Sequence, residues 1–229
     1  MWNQNGSLHR NRGHASKKPA SPGWRTLASL RHNRPMPTIP RSVAVFCGSR
    51  FGHDPAFRAA AQALGDGLAR AGIRLVYGGG NVGLMGVTAD AALAADGKVL
   101  GIIPTFLQRR EVAHAGPVEL VITDTMHDRK RRMSEAAHAF VVMPGGLGTF
   151  DEAIEITTWR QLALHDKPIF ICNVNGWADP YLNLLQAAVK QGFAPPETSG
   201  LYETVPDVPT LLTRLATVPV PASGHPERL

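Results

Sequence analysis

Apolar runs and helical periods alternate along this chain from residue 42 to residue 217. SVAVFCGS (42–49) is a continuous apolar run that suits a strand buried on both faces. DPAFRAAAQALGDGLARAG (54–72) then carries helical spacing, with Asp54 as N-cap and Pro55 at the first helical position. IRLVYGGG (73–80) predicts a second strand and a glycine turn, and GLMGVTADAALAADG (83–97) a second helix. KVLGIIP (98–104) and VELVITDTM (118–126) predict the third and fourth strands, HDRKRRMSEAAH (127–138) a helix, and AFVVMP (139–144) the fifth strand. TFDEAIEITTWRQLALH (149–165) predicts a long helix, KPIFICNV (167–174) the sixth strand, and DPYLNLLQAAVKQGF (179–193) another helix. TVPDVPTLLTRLAT (204–217) predicts a short closing helix.

Strand–helix alternation of this kind requires right-handed crossovers and a sheet covered on both faces. The expected class is α/β: a single doubly wound, Rossmann-like domain with a mostly parallel sheet of about six or seven strands. Its expected limits are residues 41–215. Residues 1–40 mix Asn, Gly, Ser, Pro and Arg without a period and end on Pro35, Pro37 and Pro40. They read as a flexible basic leader with a short helical stretch near 24–30, and 216–229 as a flexible tail.

Composition narrows the function classes. There is no run of about 18 apolar residues, so no membrane span is expected. The start of the chain lacks the apolar stretch and cleavage site of a signal peptide. Cys47 and Cys172 both sit in apolar strand-like runs, which predicts buried free thiols and a reducing, cytoplasmic setting. The formal charge of +6 is unevenly placed. Residues 1–41 hold eight of the 24 Lys and Arg and no acid, which leaves 16 bases against 18 acids, a balance of −2, for the rest. The basicity belongs to the leader, which could hold a polyanion loosely, and the balance of the rest argues against a nucleic-acid reading of the domain itself.

Three glycine turns follow predicted strands: Cys47, Gly48 and Ser49 after the first, residues 78–86 after the second, and residues 145–148 after the fifth. Ligands of doubly wound sheets sit beyond the strand C-termini, where helix mouths favour anions. Gly78, Gly80 and Gly83 formally match GxGxxG, but the next strand ends in Ile103, Pro104 and Thr105 with no carboxylate for a ribose. That argues against NAD or FAD, and the absence of GxxxxGK[ST] argues against a P-loop. PGGLGT (144–149) lets backbone approach a ligand, with Thr149 placed to cap the helix or to offer a hydroxyl to phosphate. The plainer alternative is a tight turn and a cap. Glu152 lies one turn further in.

MHDRKRRM (126–133) places His127, Arg129, Lys130 and Met133 at the mouth of the preceding helix, and its run of cations, Arg129 to Arg132, works against the helix dipole. A bound anion or partner acids must compensate. Arg131 and Arg132 read as solvated, whereas Arg129 and Lys130 suit a phosphate or carboxylate. His127 and Asp128 have no second histidine or cysteine at ligand spacing, so no zinc site is expected.

The pairing of MHDRK with PGGLGTFDE resembles the LOG family, the cytokinin riboside 5'-monophosphate phosphoribohydrolases, whose members have often been labelled lysine decarboxylases. CGS at 47–49, GGGNVGLMG at 78–86 and ITTWRQLALHDKPIFICNVNGW at 156–177 are also similar to family segments, and the resemblance spans about residues 42–210. It implies hydrolysis of the N-glycosidic bond of N6-prenylated adenosine 5'-monophosphates, with AMP often accepted, to free base and ribose 5-phosphate. It implies a homodimer that uses neither metal nor organic cofactor. Arg129 and Glu152 are the expected catalytic residues. Ser49, Gly79, Gly80, Met85, Met126, Lys130, Pro144, Gly145, Gly146, Gly148 and Thr149 are the expected substrate-binding residues. Two other classes remain: a non-catalytic nucleotide-binding or sensing module of the same fold, and a single-strand DNA-processing protein. The acidic core balance and the lack of aromatics interleaved with basic residues argue against the latter. Amino-acid decarboxylation would need a Schiff-base lysine in a pyridoxal setting, which no lysine here has.

Overall fold

The computed structural model describes residues 40–108, 114 and 116–220. Residues 1–39 of the expected leader and 221–229 of the expected tail lie outside the described residues. Seven strands form one sheet: β1 (Ser42–Phe46), β2 (Arg74–Tyr77), β3 (Val99–Pro104), β4 (Glu119–Thr123), β5 (Ala139–Val142), β6 (Ile169–Cys172) and β7 (Glu203–Val205). Six α-helices accompany them: α1 (Pro55–Arg70), α2 (Gly83–Ala94), α3 (Met126–Ala136), α4 (Leu147–Gln161), α5 (Asp179–Lys190) and α6 (Val208–Leu215).

The strand order is β4-β3-β2-β1-β5-β6-β7, with every pairing parallel. The chain winds outward from β1 in one direction as far as β4, then returns to β1's other side with β5. In register, Val43 lies opposite Leu75 on β2 and Ala139 on β5. This order makes the doubly wound fold expected from the alternation. It also puts the topological switch between β1 and β5, where their C-terminal extensions diverge.

The period of two along β1 divides the core. Val43, Val45 and Cys47 pack with Leu64 and Leu68 of α1, Ala89 of α2 and Leu211 of α6. Ala44 and Phe46 pack with Met133 of α3, Ile156 of α4 and Tyr181 of α5. Both faces of β1 are therefore dry, which is why its sequence is apolar throughout rather than alternating.

Local signals place most helix starts. Asp54 caps α1 by accepting from the Ala56 N–H at 2.8 Å, with Pro55 in the first turn, as expected. Thr125 caps α3 by accepting from the Asp128 N–H at 3.0 Å. β7 is a three-residue edge strand with two of its residues partly or fully exposed. So short a run has no apolar pattern of its own, and only its pairing with β6 makes it a strand.

At the opposite edge of the sheet from the glycine turns, His165 is only 4% exposed. Its ring stands tilted against Phe140, 5.1 Å between centroids. Nε2 lies 2.9 Å from the Ile156 carbonyl, and Nδ1 accepts the Lys167 N–H at 3.2 Å. A carbonyl only accepts and a backbone N–H only donates, so the ring is the neutral Nε2–H tautomer. Burial, opposed by the Ile156 carbonyl and reinforced by the charges of Lys167 and Arg160, lowers its pKa from 6.5 to about 4. Between those two values the unfolded chain takes up a proton that the fold refuses. This contribution is therefore intact above about pH 6.5 and is lost as pH falls toward 4, by about 3 kcal/mol in full. Urea unfolding at pH 7 and pH 4.5 should show a smaller acid loss for His165→Gln than for the parent; equal losses would refute the assignment.

Candidate active site

The two arms of the topological switch are stitched just before they part. Met143 N–H donates to the Phe46 carbonyl at 2.8 Å and Gly48 N–H to the Pro144 carbonyl at 2.9 Å. The Gly48 carbonyl in turn accepts from Leu84 N–H at 2.9 Å, which draws in the start of α2. Beyond these bonds a cavity of about 850 Å³ opens, at the upper end of the range for small-molecule sites. Its walls come from the C-terminal ends of β1, β3 and β5, the first turns of α2, α3 and α4, and Trp177 after β6.

The glycine turn after β5 contributes Pro144, Gly145, Gly146, Gly148 and Thr149 to that wall. The helix it opens begins earlier than the sequence suggests. Its N-cap is Gly146, with φ −109° and ψ −149° and no side-chain cap bond; Thr149 lies three residues inside and is buried. The capping role expected for Thr149 is thus corrected. Its hydroxyl packs against Gly145 instead, where any Cβ would collide with it. The first intrahelical bond runs from Phe150 N–H to the Gly146 carbonyl, 3.0 Å. The N–H groups of Leu147, Gly148 and Thr149 therefore have no partner within the helix, as at any helix mouth, and their dipoles favour an anion.

Arg129 and Glu152 meet across this cavity. They belong to α3 and α4, and their side chains are 6% and 12% exposed. Arg129 Nη1 lies 3.8 Å from Glu152 Oε1, an ion-pair contact too long for a hydrogen bond. The rest of the guanidinium is anchored on backbone. Nε donates to the Ile102 carbonyl at 3.1 Å and Nη2 to the Gly78 carbonyl at 3.3 Å. Gly78 must be glycine for this, because a Cβ there would overlap Arg129 Nη2. The first glycine of the apparent dinucleotide fingerprint thus makes room for an arginine. The outcome is a fixed positive charge and a carboxylate, both within a largely apolar cavity.

The other expected substrate-binding residues divide. Ser49, Met85 and Met126 line the cavity. Gly79 and Gly80 do not; Gly79 turns at φ +78° and packs against Ile102, Ile103 and Leu120. Lys130 does not line it either. Its Nζ lies 2.6 Å from Asp151 Oδ2 and 3.2 Å from Glu155 Oε2, which ties α3 to α4. Burial works against its charge, but the two carboxylates outweigh burial and hold its pKa above the usual value. The compensation expected for the cluster of cations is met by acids of the chain itself. Arg131 pairs with Asp128 and Glu135, and Arg132 with Asp128.

Cys47 and Cys172 are both free and buried, as read from their surroundings. Cys47 also reaches the cavity wall. Burial, and then the Glu152 carboxylate, push its pKa up to about 12, so it stands there as an uncharged thiol. Among the described residues no group of three or more His, Cys, Asp or Glu is placed to hold a metal ion. Among them, no helix is long and apolar enough to cross a membrane.

As site residues the sequence did not mark the loop at residues 50–54, whose Asp54 it reads only as a helix cap, nor Phe57, Leu107 or Trp177, all of which line the cavity. The available signal was position: each follows, or packs beside, the C-terminal end of a strand. Which of them turns inward depends on contacts between distant segments.

The family model described as "Possible lysine decarboxylase" matches residues 85–215. The cytokinin riboside 5'-monophosphate phosphoribohydrolase LOG2 of Arabidopsis thaliana is 41% identical over 175 residues, which cover 76% of this chain and 82% of that protein. The chain belongs to the LOG family. The cytokinin riboside 5'-monophosphate phosphoribohydrolase of Rhodococcoides fascians is 42% identical over 175 residues, 72% of this chain and 88% of its own length. Among solved structures, the molybdenum cofactor binding protein of Rippkaea orientalis superposes with a TM-score of 0.58 at 19% identity, covering 77% of this chain and 95% of that one. That likeness speaks for the fold alone. In this LOG-family chain, the two motifs of the resemblance are the ones that deliver Arg129 and Glu152 to a single cavity.

Proposed function

We propose that this protein hydrolyses the N-glycosidic bond of purine nucleoside 5'-monophosphates, N6-prenylated adenosine monophosphate and AMP among them. The products are free base and ribose 5-phosphate. The observation that carries this is the buried Arg129 and Glu152 pair, 3.8 Å apart, beside the open mouth of α4. The N–H groups of residues 147–149 and the helix dipole hold the 5'-phosphate. Glu152, one further turn along α4, meets the ribose. Its carboxylate bonds ribose hydroxyls and stabilises positive charge at C1' as the bond to the base nitrogen breaks. Water adds to C1', and the departing base takes up the proton. Arg129 balances the charge of Glu152 and fixes its position.

Lysine decarboxylation does not fit the residues present. Among the described residues no lysine lines the cavity, and Lys130 is held charged between two carboxylates, whereas Schiff-base formation needs a neutral amine. We also propose a homodimer in a reducing cytoplasm. The exposed apolar side chains of Leu147, Ile154 and Leu162 along and just beyond α4 support the first, and the two free thiols support the second.

One preparation tests these readings. Incubated with AMP, prenylated AMP and the matching nucleoside, the protein should release base from the two monophosphates only. Equal release from the nucleoside would defeat the phosphate assignment. Binding of the monophosphates without release would establish the non-catalytic module instead. Light scattering on the same sample should give the mass of two chains, and the mass of one would overturn the dimer.

A further inference from the structure

We infer that Trp177 is a positioning residue that holds the peptide between Gly145 and Gly146 in its anion-binding orientation. The inference rests on the phosphate assignment above. Its starting point is a single hydrogen bond: the Trp177 indole N–H donates to the Gly145 carbonyl at 3.1 Å. A trans peptide is planar, and its carbonyl and following N–H point in opposite directions. With the Gly145 carbonyl held by the indole, the Gly146 N–H faces away from it. It then adds to the donors of the first turn of α4. Were the peptide to flip, a carbonyl oxygen would face the phosphate in place of a donor.

This peptide needs an outside anchor because it joins two glycines. Neither residue has a Cβ to restrict the flanking torsions, and a Cβ built at Gly146 would meet nothing within 4 Å. The turn itself therefore does little to choose between the two orientations. Trp177, by contrast, is firmly set. Its ring lies parallel to Phe150 of α4, 5.2 Å between centroids and 2° between planes, and Phe150 stacks in turn on Tyr181 at 5.6 Å.

The loop that carries Trp177 is braced on both sides. Asn173 accepts from the Ala178 N–H through Oδ1 and donates to Asp179 through Nδ2, each at 2.7 Å. Asn175 takes a left-handed turn, φ 49° and ψ 33°, and its Nδ2 donates to Asp54 at 2.9 Å, the residue that caps α1. The segment after β6 is thus fastened to the segment after β1, and its indole reaches the segment after β5. Three loops around one cavity are tied through side chains whose bonds are mutually satisfied.

Trp177→Phe removes the N–H and keeps a ring to stack on Phe150. Calorimetric titration with inorganic phosphate and with ribose 5-phosphate reads the effect, together with AMP kinetics. Kd for both phosphates and KM for AMP should rise about tenfold, the scale of one hydrogen bond to a charged group. The kcat should stay within about threefold, since Arg129 and Glu152 are untouched. Phe150→Leu removes the stacking partner and leaves the N–H, with the loop still held through Asn173 and Asn175; it should lower Tm while KM stays within about twofold. Unchanged phosphate affinity in Trp177→Phe, with the parent binding both ligands, overturns the inference alone. Equal rises in KM for the two variants would show a packing effect and overturn it as well. A parent protein that binds neither phosphate would overturn the phosphate assignment and, with it, this role.

Discussion

Glu152→Gln should reduce base release from AMP by roughly 10²- to 10⁴-fold, the span of a positioned carboxylate in the transition state. The change is nearly isosteric and removes only the charge. Glu152 lies in the second turn of α4 and takes no part in capping that helix. The cavity keeps its shape, and the phosphate end of the site is unaltered. KM for AMP should therefore change by less than the turnover does, and circular dichroism should show a folded protein. The variant does leave the Arg129 charge without its nearby carboxylate. Since both residues line a cavity, part of that cost falls to solvent rather than to the fold. Hydrolysis of AMP at close to the parental rate would remove Glu152 from the mechanism.

Arg129→Ala should act on both function and stability. The guanidinium balances Glu152 and donates to two backbone carbonyls, those of Gly78 and Ile102. Deleting it strands two buried acceptors, at about 1–3 kcal/mol each where water cannot reach them. The midpoint of urea unfolding should fall. In the protein that remains folded, kcat/KM for AMP should drop by about 10²- to 10³-fold, as for loss of one preorganised donor to the transition state. Measuring turnover per folded molecule separates the two effects. An unchanged kcat/KM per folded molecule would make Arg129 purely structural.

Much of the fold was legible because its cues are local. Strands of a parallel sheet covered on both faces show as unbroken apolar runs, and β1, β5 and β6 are buried at every position. Asp54 and Pro55 announce α1 by chemistry confined to one turn. The start of α4 has no local mark, for the converse reason. Gly146 caps it through backbone alone, with no side chain to mark the place, while Thr149 carries a capping residue's chemistry at an interior position. β7 is not marked in the sequence because three residues show no period, and its strand character comes from β6.

The site was legible as a set of residue types rather than as a set of contacts. The two motifs named Arg129 and Glu152, and with them Lys130. The charges along MHDRKRR required partners without saying which. Adjacent in sequence, Arg129 and Lys130 point from α3 to different ends: one to the cavity, the other to Asp151 and Glu155 on the surface of α4. Helical geometry separates neighbouring side chains by roughly 100°, so only the docking of α3 beside α4 assigns each its role.

By itself the sequence determined the alternation of elements, the two-sided burial of the sheet and the presence of a glycine turn at a helix mouth. Those depend on periodicity, backbone freedom and capping, all of which act within a few residues. The tertiary structure alone decided that Gly78 makes room for Arg129, that Gly145 lies against Thr149, and that Trp177 reaches back to the Gly145 carbonyl. Each of these joins segments that lie far apart along the chain or depends on a side chain's direction. They exist because the strand order brings the ends of β1, β2, β5 and β6 to one edge of the sheet.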